Sequence, residues 1–167
     1  LLVFSLPETQ VVREESLQKN SSSPIVWLFA LSVFLLHAMM TLLFIVLPGM
    51  LVSKFGFELE YHWRIYIPSV LGSVILVFPI LRRIQAGNKE YSAMPVAFLV
   101  LGVSLGLISL GGTIVTMIVF AMVFFLAFNM LEAAMPSAVS KLTGATDRGK
   151  KMGLYTTFQF LGAFAGG

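Results

Sequence analysis

Long apolar runs separated by short polar stretches set the pattern of this chain. The polar stretches fall at 7–23, 53–60, 80–90 and 143–151. A helix rises 1.5 Å per residue, so about 20 apolar residues cross roughly 30 Å of hydrocarbon. Four runs meet that length, at 24–51, 63–81, 94–110 and 113–141, and each is predicted to be a membrane-spanning helix. Pro24 suits a first helical turn, and Pro48-Gly49 marks the far end of the first span. LLVFSL at 1–6 reads as the last turns of a truncated helix, and 152–167 as the start of a fifth span cut short. Between the first two lies PETQVVREESLQKNSSS (7–23), too charged and serine-rich to enter a bilayer. The chain opens without methionine and stops inside an apolar run, so a fragment of a longer protein is expected.

Composition supports the same class. Hydrophobic residues make up 57% and charged residues only 11%, against roughly a quarter charged in soluble domains. The net charge of +3 raises the question of nucleic acid, but the basic residues are split among short loops rather than gathered on one face, so no nucleic-acid partner is expected. They speak instead to topology. With 7–23 on the cytoplasmic side, the inside holds nine (Arg13, Lys19, Arg82, Arg83, Lys89, Lys141, Arg148, Lys150 and Lys151) and the outside two, Lys54 and Arg64. That is the distribution the positive-inside rule demands. Tyr61, Trp63 and Tyr66 then fall at the outer interface and Trp27 and Tyr91 at the inner one. Arg64 is expected to snorkel and His62 to be solvated. There is no cysteine, which excludes disulfides, thiolate metal sites and cysteine nucleophiles.

Two ionisable residues remain inside the spans. His37 lies thirteen residues after Pro24, about 20 Å along the helix and close to mid-membrane. Glu132 lies nine residues before Lys141, about 13 Å from the inner end. Each heads a polar stripe: His37 with Thr41 four residues on, and Glu132 with Asn129 and Pro136 at i, i+3, i+7 spacing. Such faces belong against protein or water, because a charge in hydrocarbon is costly. A lone membrane histidine serves equally well by bonding a neighbouring backbone or by handling substrate or protons. For Glu132 the choice is between a coupling role and a structural ion pair. Phe124, Phe125, Phe128 and Met130 read as packing, though an apolar pocket uses the same residues. One histidine and one glutamate do not make a metal site.

Glycines add a second pattern. Gly102 with Gly106, and Gly162 with Gly166, form GxxxG pairs that let helix backbones approach closely. The second pair follows a compact charged loop.

On these residues the chain resembles a known family. LPET (6–9) before a charged linker, FNMLEAAMPS (128–137) and DRGKKMGLYTTFQFLGAFAGG (147–167) are similar to the carboxy-terminal half of a major facilitator superfamily transporter of the drug:proton antiporter-like branch. The resemblance covers essentially the whole chain. It implies an all-α polytopic bundle in which the full spans are helices 7 to 10, 1–6 ends helix 6 and helix 11 is truncated. The expected organisation is a truncated helix end at 1–6, a cytoplasmic inter-bundle linker at 7–23 and a truncated carboxy-terminal bundle at 24–167. The amino-terminal bundle of the same chain would be its missing partner. The loop ILRRIQAGNKE departs from the pattern: it keeps Arg82, Arg83 and Lys89 but lacks the glycine and aspartate of the family's signature loop.

The resemblance further implies that His37 and Glu132 face one central cavity, with His37, Thr41 and Asn129 offering polar contacts to substrate or carboxylate. Glu132 would take up and release protons as two bundles rock about a midplane site. Asp147, Arg148, Gly149 and Gly153 would form a gating loop. The expected function is proton-coupled transport of a small molecule, outward across a multi-pass cell membrane, the inner membrane of a bacterium. Its partners would be lipid, substrate and protons, with no cofactor and no metal. Enzyme signatures such as HExxH, GxSxG or paired aspartates are lacking, so no enzymatic activity is expected. A structural or receptor-like polytopic subunit without transport activity is the alternative.

Overall fold

The computed structural model describes residues 24–144 and 147–167. The helix end expected at 1–6 and the linker expected at 7–23, with Arg13 and Lys19, lie outside the described residues. The rest is helical: α1 (Pro24–Phe55), a 3-10 turn (Leu59–Tyr61), α2 (Trp63–Ala86), α3 (Glu90–Leu110), α4 (Ile114–Leu142) and α5 (Arg148–Gly166). Four candidate membrane spans are long and apolar enough to cross a bilayer: α1, α2 with its leading 3-10 turn, α3 and α4.

All but α4, which matches its expected span to within a residue, outrun the spans expected for them, for local reasons. Pro48 does not end α1, which continues to Phe55. In lipid the competing solvated turn is unavailable and one missing N–H is tolerated. The helix stops at Gly56, where a positive φ of 61° lets the Gly56 N–H reach Val52 O at 3.0 Å and the Phe57 N–H reach Leu51 O at 2.9 Å. At the other end of α2 the chain turns on Asn88, whose φ of 52° is one asparagine tolerates. Asn88 N–H to Gln85 O (3.1 Å) and Lys89 N–H to Ile84 O (3.0 Å) satisfy the helix end in a Schellman pattern. α4 begins on a Thr113–Thr116 capping box, each side chain serving the other's backbone N–H.

α4 is the centre of the bundle. It packs most extensively on α3 and α2 and also touches α1 and α5, while α1 packs chiefly along α5. The core consists of Leu36, Leu43, Leu47 and Leu51 from α1, Leu101 and Ile108 from α3, and Phe124, Leu131 and Met135 from α4, all fully buried. Phe125 and Phe128 join them, whereas Met130 lines an apolar cleft of about 420 Å³ between α2 and α3. Leu71, Ile75 and Phe78 of α2 and Leu99 of α3 point outward. Helices apolar on every side are what a bilayer permits, and their association then rests on close fit rather than on hiding apolar surface from water.

The two GxxxG pairs differ. A Cβ at Gly162 would run into the backbone of Phe34, and one at Gly166 into the backbone of Ala38. α1 and α5 therefore run parallel and in backbone contact. Gly102 meets only the tip of Met39 at 3.7 Å and Gly106 meets nothing within 4 Å, so the first pair brings no two backbones together among the described residues.

The ends sort as the charges require. Lys141 of α4 pairs with Glu90 of α3 at 2.9 Å at one end. Lys54 of α1 reaches the Gly111 turn at the other. At that second end Arg64 lies over the rings of Tyr61 (4.6 Å) and Trp63 (5.6 Å). Tyr66 turns inward and stacks on Phe44 at 5.6 Å. His62 is not solvated, contrary to expectation: it is buried, stacks on Phe57 and places Nε2 3.0 Å from the Phe57 carbonyl.

Orientation is open to a direct check. A single cysteine at Gly144 should be shielded from an impermeant thiol reagent in intact cells, and one at Ser53 should label. The reverse pattern would overturn the assignment of the Lys141 end to the cytoplasm.

Candidate functional site

Three helices bring their polar residues to one place. α1 supplies His37, α4 supplies Glu132, and α5 supplies Gln159. Gln159 Nε2 lies 2.9 Å from His37 Nε2 and 3.4 Å from Glu132 Oε1. His37 Nε2 lies 3.7 Å from Glu132 Oε2, an ion-pair distance when the imidazole is protonated. The Glu132 Oε2 atom is itself buried and without a hydrogen-bond partner. Phe128, one turn before Glu132, packs edge-on against the imidazole at 5.7 Å.

The depth follows from the helix rise. Gln159 lies eleven residues after Arg148 and Glu132 ten before Leu142, about 15–17 Å from the Arg148 and Leu142 ends of their helices. All three groups thus sit near mid-membrane. A carboxylate there belongs against protein or water rather than lipid. The Glu132 side chain keeps 36% of its surface accessible and His37 only 14%, so the glutamate lies at the open edge of the cluster with its Oε2 turned inward, and the imidazole forms the floor.

The other expected ligands point elsewhere. The Thr41 hydroxyl donates to the carbonyl of His37 at 3.0 Å, a bond within its own helix. It makes no bond to Glu132. Asn129 Nδ2 donates to Ser73 Oγ of α2 at 2.9 Å, and Ser73 in turn to Val70 O at 2.7 Å. Asn129 thus joins α4 to α2 on a different side of the helix from Glu132. With the buried Ser69, which donates to Ile65 O at 2.7 Å and reaches Ile118 O at 3.5 Å, it forms a polar seam between those helices.

The loop before α5 also differs in detail. Arg148 is the first residue of α5 rather than a loop residue preceding it, and it is exposed with no ion pair among the described residues. Asp147 occupies the N-cap position without capping and lies 3.8 Å from Lys151. A side chain at Gly149 or Gly153 would meet nothing within 4 Å. The cation at the positive end of its helix dipole is unfavourably placed, so a partner elsewhere in the full protein would hold it in one conformation. Arg148→Ala is therefore expected to change the turnover of transport several-fold more than substrate affinity. If expression alone fell, the loop would be a topology signal and nothing more.

Two residues of the neighbourhood carried no expectation. Gln159 is a single amide in the apolar run TTFQFLG, the same signal that marks Glu132, and it was legible on that ground. Tyr155, one turn before it, is buried with its hydroxyl unpartnered.

Comparison with known proteins shows the family. The sequence profile of the Major Facilitator Superfamily matches residues 2–167. The inner membrane transport protein YajR of Escherichia coli (strain K12) is 33% identical over 138 residues, covering 81% of this chain and 30% of that protein. An uncharacterized transporter of Buchnera aphidicola subsp. Acyrthosiphon pisum is 29% identical over 139 residues, 83% of this chain and 35% of its own length. Another, from Buchnera aphidicola subsp. Baizongia pistaciae, is 33% identical over 141 residues, 82% and 35%. The chain spans about a third of the length of these relatives. With its apolar helical bundle and a match along nearly its whole length, the chain is a multi-pass membrane protein of the major facilitator superfamily.

Proposed function

We propose that this chain is part of the carboxy-terminal half of a proton-coupled secondary transporter that exports a small molecule by alternating access, with Glu132 as the proton carrier. The observation that carries the reading is the meeting of His37, Gln159 and Glu132 from three helices near mid-membrane. A cluster of that kind at that depth is costly to maintain and marks an ion or proton path by default. The superfamily supports transport rather than enzymatic chemistry. The name of the Escherichia coli relative supports an inner-membrane location.

The chemistry is limited to proton handling and binding. Glu132 offers a carboxylate on the open edge, His37 a second proton-accepting nitrogen beside it, and the amino-terminal bundle would close the other wall. As the bundles rock, the carboxylate would meet water from each side in turn. Asn129 and Thr41 would then act through helix packing and helix geometry rather than as substrate ligands. Asp147, Arg148, Gly149 and Gly153 would set the energy of rocking.

The test uses the full-length protein in proteoliposomes holding a pH-sensitive dye, with compounds first selected by calorimetric binding. A bound compound should elicit a proton flux opposite to its own movement. Binding compounds that cross without any proton flux would remove the coupling, and binding without crossing would favour the receptor-like subunit.

A further inference from the structure

The hydrogen bonds of His37 fix where its proton sits. Nδ1 lies 3.2 Å from the carbonyl oxygen of Val33, which can only accept, so Nδ1 bears the hydrogen. Nε2 faces the amide nitrogen of Gln159 at 2.9 Å, which can only donate, so Nε2 bears none. In this Nδ1–H tautomer the lone pair of Nε2 is taken up by the Gln159 N–H. The unpartnered Oε2 of Glu132 lies 3.7 Å from the same nitrogen. The Gln159 amide reaches Glu132 Oε1 at 3.4 Å as well, so one side chain of α5 holds both acceptors toward each other.

We propose that Gln159 is a positioning residue: its N–H occupies the Nε2 lone pair, so holding His37 in its Nδ1–H tautomer beside Glu132, and it is displaced when a proton enters between them. The proposal rests on the reading of Glu132 as a proton carrier. The proton comes from water and binds the Nε2 lone pair. The new Nε2–H then donates to Glu132 Oε2, and the Gln159 N–H loses its acceptor on His37. Release reverses each step. Proton occupancy becomes the loss of a polar tie between α5 and α1, one turn from the point where Gly162 abuts Phe34.

The surroundings leave this arrangement few competitors. α4 presents Glu132 and the ring edge of Phe128 to His37. On α5, Gln159 is joined by Tyr155 one turn earlier on the same face, buried and unpartnered. On α1 itself, Thr41 is committed to the His37 carbonyl. The charged residues of α2 and α3 lie at their ends: Arg64, Arg82 and Arg83 on α2, and Glu90 on α3.

The experiment is nitrogen-15 magnetic resonance of histidine-labelled full-length protein in lipid nanodiscs, with the His37 signal assigned by its loss in His37→Asn. At alkaline pH the wild type should show the Nδ1–H form. Gln159→Leu should lower the ratio of the Nδ1–H to the Nε2–H form roughly five-fold, the equivalent of one net hydrogen bond. Gln159→Glu supplies a carboxylate that accepts, so the Nδ1–H form should be lost altogether. Should Gln159→Leu fail to fold, Gln159→Met keeps the length and serves in its place. An Nε2–H form in the wild type, or an unchanged ratio in Gln159→Leu, would overturn the proposal. The coupling reading is tested separately: gradient-driven transport surviving in Glu132→Gln refutes that reading while the tautomer ratio still decides the role of Gln159.

Discussion

Gly162→Ala is expected to destabilise the protein where Gly106→Ala does not. Alanine normally gains about 1 kcal/mol over glycine inside a helix, because the glycine backbone loses more freedom on ordering. At Gly106 that gain should be realised, since nothing lies within 4 Å of the added carbon. At Gly162 the added carbon would occupy the place of the Phe34 backbone. Neither backbone can rotate away as a side chain would, so α5 must move off α1. Overpacking of this kind costs about 1–3 kcal/mol, which outweighs the propensity gain. Separation would also stretch the 2.9 Å contact of Gln159 with His37, one turn away. Thermal unfolding in detergent should therefore show a lower midpoint for Gly162→Ala and an equal or higher one for Gly106→Ala. Equal midpoints would mean that α1 and α5 are not in backbone contact.

That contrast shows what a sequence motif conveys. GxxxG reports that a helix has a face with no side chains, and it says nothing about whether another helix lies there. The same limit applies to the polar stripe on α4. Asn129 and Glu132 share a face at i, i+3 spacing, yet three residues at about 100° each leave them about 60° apart. In a helix surrounded on several sides that is enough to send Asn129 to α2 and Glu132 toward α1 and α5. Thr41 makes no bond to Glu132 for a simpler reason, because its hydroxyl donates to a carbonyl of its own helix. What was legible was depth: the number of residues from a helix end gave about 20 Å for His37 and about 13 Å for Glu132, within a turn or so of each other. The spans were legible by length and half the ends of the first three by residue, α1 starting at Pro24, α2 at Trp63 and α3 ending at Leu110, while the end of α1, the end of α2 and the start of α3 were not. Pro48 in lipid does not break α1, and Asn88 supplies a helix stop where no glycine was needed. Azimuth depends on which neighbour each face meets, and that is decided by packing across the whole bundle.

Glu132→Gln is expected to abolish gradient-driven transport while leaving the fold intact. Glutamine keeps the length and shape of the side chain, and its carbonyl oxygen can go on accepting from Gln159, which now reaches Oε1 at 3.4 Å. Its amide would replace the unpartnered Oε2, 3.7 Å from a nitrogen whose lone pair already accepts from Gln159. No buried charge is stranded, because the Nδ1–H imidazole is neutral. A structural ion pair makes the opposite forecast: removing one member leaves the other unpaired in a poorly solvated place, which costs about 3–5 kcal/mol. Thermal stability and transport measured on the same preparation separate the two. A stable variant that binds substrate, exchanges it passively and no longer concentrates it against a gradient is the expected result. A stable variant that still concentrates substrate would remove Glu132 from proton coupling, and an unstable one would assign it to the scaffold.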